Sequence, residues 1–72
     1  MTKIMLVDGR RVAVRKNRIG PRYTRFRLDA HTGQVRMLWG VEWLPATDGD
    51  AESCGTTLAA LRAELTEEGE GE

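Results

Sequence analysis

The dipeptide Asp8-Gly9, set between the apolar run Ile4-Met5-Leu6-Val7 and the segment Arg11–Lys16, constrains this chain more than any other feature. Asp-Gly is among the few pairs that accept positive φ at both central positions of a type I′ turn, whose twist matches that of the flanking strands. The chain therefore opens with a β-hairpin. With Asp8 and Gly9 as the loop, Val7 faces Arg10 and Met5 faces Val12, so Met5, Val7, Val12 and Val14 share one face and Ile4, Leu6 and Ala13 the other. The first strand is thus apolar on both faces, which a sheet backed by water does not need. A curled sheet, a packed helix or a second protomer has to cover each side.

Gly20-Pro21 breaks the next stretch into a loop. Strand three follows at Tyr23–Asp29, with Thr24, Phe26 and Leu28 on one side and Tyr23, Arg25, Arg27 and Asp29 on the other. Beyond the turn ending at Gly33, Val35, Met37, Trp39, Val41 and Trp43 share one parity, which predicts a single strand from Gln34 to about Leu44. A loop of Ala30–Gly33 pairs Leu28 with Val35, Phe26 with Met37 and Thr24 with Trp39, gathering the large apolar groups on one face; a loop one residue shorter mixes the faces. The same register sets Arg27 opposite Arg36. A strand of that length spans roughly 36 Å, so Gly40 is its expected bend, and a long strand kinked at glycine can serve two edges of a curled sheet.

Pro45 ends the sheet. Residues 46–55 are polar, acidic and glycine-punctuated and read as a linker, and a helix over 56–67 starts at Thr56 or Thr57 with Leu58, Leu61 and Leu65 as its apolar stripe. The glycine-interrupted glutamates of 68–72 read as a disordered acidic tail. The expected fold is mainly β with one C-terminal helix: a four-stranded antiparallel meander over 1–45, curled into a small SH3-like or Sm-like half-barrel and open to dimerisation. That is an argument from shape.

Seventy-two residues make one domain, whose core supplies only ~3–5 kcal/mol without reinforcement. Cys54 is the sole cysteine and His31 the sole histidine, so no intrachain disulfide and no zinc site of the usual composition can form. The longest apolar run, Ile4–Val7, is far short of the roughly 20 residues a membrane helix needs, and the start lacks the layout of a signal peptide. A reducing, cytoplasmic setting is expected. No phosphate loop, paired metal ligands or nucleophile elbow is present. Cys54 with His31 is the one conceivable nucleophile and base, without a third group to orient them, and His31 reads more simply as a turn residue. Glu42 reads as a solvent-facing partner rather than a general base. No catalytic residue, cofactor or small-molecule substrate is expected.

The zero net charge conceals a division. Residues 1–36 hold ten lysines and arginines against Asp8 and Asp29, and residues 37–72 hold Arg62 against nine acids, so the halves carry +8 and −8. Tyr23, Arg25, Arg27 and Arg36 project from one strand face, with Arg15, Lys16, Arg18 and Arg22 at the adjoining loop. Such a set can neutralise phosphates and stack one base on the tyrosine. Arginine outnumbers lysine nine to two, favouring bidentate contact with phosphate or carboxylate. The opposed Arg27 and Arg36 repel, and an anionic partner would relieve them. The expected function is a non-enzymatic module whose basic β-surface binds DNA or RNA backbone, the acidic tail competing for that surface. The rival is a small protein-binding regulator or inhibitor, of the kind mobile elements and phages carry, acting on a larger host enzyme or complex by gripping an acidic protein surface through Trp39, Trp43 and the stripe Leu58, Leu61, Leu65.

Overall fold

The computed structural model describes residues 3–66. Strands β1 (Lys3–Val7), β2 (Arg10–Lys16), β3 (Tyr23–Leu28), β4 (Val35–Trp39) and β5 (Glu42–Pro45) precede helices α1 (Asp48–Glu52) and α2 (Leu58–Thr66). The strands form one open antiparallel sheet in sequence order, with β1 and β5 as its edges.

Local turn chemistry sets the register. Asp8 and Gly9 take φ of 55° and 77°, the type I′ pattern, and Val7 pairs with Arg10 and Met5 with Val12 as that turn requires. The β3–β4 connection pairs Phe26 with Met37, Arg27 with Arg36 and Leu28 with Val35.

The expected long fourth strand is two strands. Gly40, at φ 67°, is the first residue of a two-residue loop, the placement typical of a type II′ turn, and the chain reverses there instead of bending. Trp39 pairs with Glu42, Leu38 with Trp43 and Met37 with Leu44. The loop resets the alternation, so Trp43 leaves the parity of Val35, Met37 and Trp39 and crosses to the opposite face, and Val41 is 94% exposed at the tip. The sheet is therefore a five-stranded open meander rather than a four-stranded half-barrel.

One face of that sheet is closed. The row Ile4, Ala13, Phe26, Met37 and Leu44 runs across all five strands, and Ala13, Phe26, Val35, Ala46, Ala51, Cys54, Leu61 and Leu65 form the core cluster against it. Thr57 caps α2, its hydroxyl accepting from the Ala60 amide at 3.1 Å. Leu61 and Leu65 are buried and Leu58 packs partly on the cluster, so the leucine stripe expected to offer a protein interface covers the chain's own sheet, with α2 lying across β2, β3 and β4.

The segment 46–55, expected as a linker, contains α1. Thr47 accepts from the Asp50 amide through its side chain while the Asp50 carboxylate accepts from the Thr47 amide, a reciprocal capping box. Ala51 is the buried residue of this helix. The end of the expected α2 at Glu67 and the acidic tail lie outside the described residues.

Leu61→Ala removes the most enclosed side chain of α2 and should cost about 2–5 kcal/mol, comparable to the whole stability of so small a domain. Urea denaturation followed by circular dichroism should find that variant largely unfolded, with Val41→Ala within about 0.5 kcal/mol of the parent.

Candidate functional site

The face away from the helices is uncovered. By strand pairing it carries Lys3, Arg10, Lys16, Arg25, Arg27 and Arg36 together with Tyr23 and Trp43. Lys3, Arg10, Lys16 and Arg25 are exposed. Apolar groups sit between them: Met5 and Val7 are partly exposed, whereas Val12 is only 2% exposed although no helix lies on its side. Val12 lies in the row Met5, Val12, Arg27, Arg36, Pro45, where long neighbouring side chains on an uncovered face can shield a short one.

The opposed Arg27 and Arg36 are accommodated within the chain. Arg36 donates from Nε to Asp29 Oδ2 at 2.9 Å and from Nη1 to the Trp43 carbonyl at 3.2 Å. The Arg27 guanidinium lies 4.3 Å from the centroid of the Trp43 ring, a distance at which a cation is attracted to the ring face. Each arginine thus has its own partner, one ionic and one aromatic, and the repulsion needs no external anion to relieve it. Trp43 takes part in both contacts, which the reversal at Gly40 makes possible.

Asp29 organises this end of the sheet. Its Oδ1 accepts from the amides of His31 at 2.8 Å and Thr32 at 3.1 Å, an Asx turn that shapes the β3–β4 loop, while Oδ2 holds Arg36. Those two amide bonds, with the hydrogen bond and positive charge of Arg36, hold the carboxyl below the usual aspartate value despite some opposing desolvation. A cleft of about 310 Å³ between the loop and the strands is lined by Arg10, Arg27, Asp29, His31, Arg36 and Trp43. A second, of about 420 Å³, lies towards Gly40 and includes Arg22, Tyr23, Arg25, Leu38 and Trp39.

The structure brings together five of the eight residues singled out for a basic surface: Lys16, Tyr23, Arg25, Arg27 and Arg36. Arg15 points to the helix side, where it lies 3.5 Å from Glu64 of α2. Arg18 sits in the β2–β3 loop, its amide donating to the Ser53 carbonyl at 2.8 Å, so that loop is tied to the end of α1. Arg22 is exposed in the same loop. Lys3 and Arg10 complete the face and were overlooked, though the parity of the first hairpin, which sets Arg10 against Val7, is the signal that finds them. Trp39 is 69% exposed at the end of β4. Cys54 is buried, its thiol 3.4 Å from Asn17 Oδ1, and His31 is exposed in the Asp29 loop.

Among the described residues, no group of three or more His, Cys, Asp or Glu side chains is placed to hold a metal ion, and no helix is long and apolar enough to cross a membrane. Asp48, Asp50, Glu52 and Glu64 belong to the helices, which pack on the other face of the sheet, but Arg11 and Arg15 lie on that face too, so the charge division of the sequence is only in part a division in space. Neither a protein-family model, nor a curated protein, nor a solved structure matches the chain.

The lowered pKa of Asp29 implies stability that is present above the ordinary carboxylate range and lost as pH falls through the folded-state value. Asp29→Asn keeps an acceptor for the turn amides and removes the charge. In urea unfolding it should be less stable than the parent from neutral pH down to about pH 4, and the difference should vanish at more acid pH as Asp29 protonates.

Proposed function

We propose that this protein is a small, non-enzymatic binding module whose open sheet face contacts the phosphate backbone of DNA or RNA. The observation that carries this reading is the gathering of Lys3, Arg10, Lys16, Arg25, Arg27 and Arg36 on the face the helices leave uncovered, with the helix acids on the other side. The exposed cations Lys3, Arg10, Lys16 and Arg25 supply the phosphate contacts. Arg27 and Arg36, already held by Trp43 and Asp29, shape the surface between them. Tyr23, 58% exposed beside them, offers a stacking platform for one base. With one such platform among many charges, the surface suits backbone recognition rather than sequence reading. Self-association belongs to the same proposal as a way to extend this face along a strand.

Fluorescence anisotropy with single-stranded RNA, single-stranded DNA and duplex DNA tests it. Binding should weaken steeply with salt, with a log–log slope of about −3 for roughly four contacts on a single strand. Arg25→Ala with Lys16→Ala should flatten that slope by about one to two units, and truncation after Thr66 should tighten binding by removing the competing glutamates. Absence of binding to every probe at low salt overturns the reading.

A second reading, a regulator that grips an acidic protein surface, draws on Trp39 and Val41, which are exposed together at the β4–β5 tip. It expects Trp39→Ala to abolish capture of a partner that survives nuclease treatment, whereas a nucleic-acid-mediated association disappears with the nuclease.

A further inference from the structure

We propose that a second copy of this chain pairs with the first along β1, antiparallel and two-fold symmetric about Met5, joining two five-stranded sheets edge to edge.

The backbone hydrogen-bond pattern places the free groups where such pairing needs them. The Asn17 amide donates to the Arg22 carbonyl, which sets the odd-numbered residues of β2 as those bonded to β3. Alternation along an antiparallel strand then turns Arg10, Val12 and Val14 towards β1, where they meet Val7, Met5 and Lys3. The amides and carbonyls of Ile4 and Leu6 consequently face outward at the open edge. Pairing about Met5 sets Ile4 against Leu6 of the second copy and Leu6 against its Ile4, so the outward groups meet as bonded pairs.

The side chains agree with the backbone. Leu6 is 72% exposed, Val7 45% and Met5 40%, so the edge is apolar on both faces and neither α1 nor α2 encloses it. In the pairing Leu6 packs beside Ile4 of the other copy on the helix side, Met5 meets Met5 on the basic side, and Val7 meets Lys3. The charges are complementary as well: antiparallel pairing carries the Asp8 turn of each copy to the Lys3 end of the other, and the two lysines stay apart.

β1 has no proline and no charge in its middle, the devices by which an edge strand resists pairing. The opposite edge is blunted, since Pro45 has no amide and the Trp43 carbonyl accepts from Arg36. The association therefore closes at two copies. A two-fold axis normal to the sheet also leaves both basic faces on one side, although the pairing itself is independent of what those faces bind.

Sedimentation equilibrium of the full chain, from about 1 µM to roughly 1 mM, tests the proposal without nucleic acid. A monomer–dimer equilibrium is expected, with the dimer lost in Leu6→Lys and in Leu6→Pro, both at an exposed position whose amide is unbonded in the single copy. Circular dichroism of these variants should match the parent. On mild oxidation Met5→Cys should form a covalent dimer, whereas Lys3→Cys, offset from its symmetry mate, should not; Cys54 is buried, and the parent serves as control. A chain that stays monomeric throughout, or a dimer that Leu6→Lys leaves intact, overturns the proposal.

Discussion

The burial of Leu61 and Leu65 against Phe26, Ala13 and Val35 is the interaction on which the rest of this structure depends. An antiparallel meander of short strands is not stable alone with both faces wet, and neither face here is apolar throughout. Alanine at position 13 keeps the middle of the helix-side row low and the leucines of α2 complete the cluster above it. With that face closed, the other can carry arginines that would be intolerable in a core. The basic surface is thus a consequence of where the helix packs.

Like charges crowd that surface, and the chain manages them by giving each arginine a different kind of neighbour. Arg36 is fixed by a carboxylate and a carbonyl, whereas Arg27 lies over an indole. Two opposed guanidinium groups can then stand side by side on different groups, Arg27 on the ring of Trp43 and Arg36 on Asp29 and the Trp43 carbonyl, and their positions are set by packing and hydrogen bonding rather than by solvent. Held in this way, Arg27 and Arg36 have little side-chain freedom left to lose.

Much of this was legible in the residues. Asp8-Gly9 encodes the first hairpin, and the apolar parity of Phe26, Leu28, Val35 and Met37 determines the second, including the Arg27–Arg36 pair. Parity failed at Gly40 because Val41 and Trp43 continue the odd-numbered apolar alternation of Val35, Met37 and Trp39 as an unbroken strand would, whereas the two-residue loop passes that face to the even-numbered Glu42 and Leu44. Trp43 was therefore placed on the face of Val35 and Met37 when it lies on the other, under an arginine. Helix α1 escaped because Asp48, Gly49 and Asp50 have loop composition, and only the Thr47–Asp50 spacing carries its start signal. Arg15 was grouped with its chain neighbours although its strand position turns it towards Glu64; adjacency in sequence was taken for adjacency in space.

Asp29 joins two matters that are usually separate. One of its oxygens shapes the loop at the tip of a hairpin and the other positions a cation on the face beside it. Hairpin tips ordinarily drift freely, since solvent tolerates most side chains there. This one cannot: replacing the aspartate for the sake of the turn also releases Arg36, and with it the carbonyl of Trp43. The evolutionary freedom of the loop is tied to that of the surface, and changes at residues 29 and 36 should be inherited together.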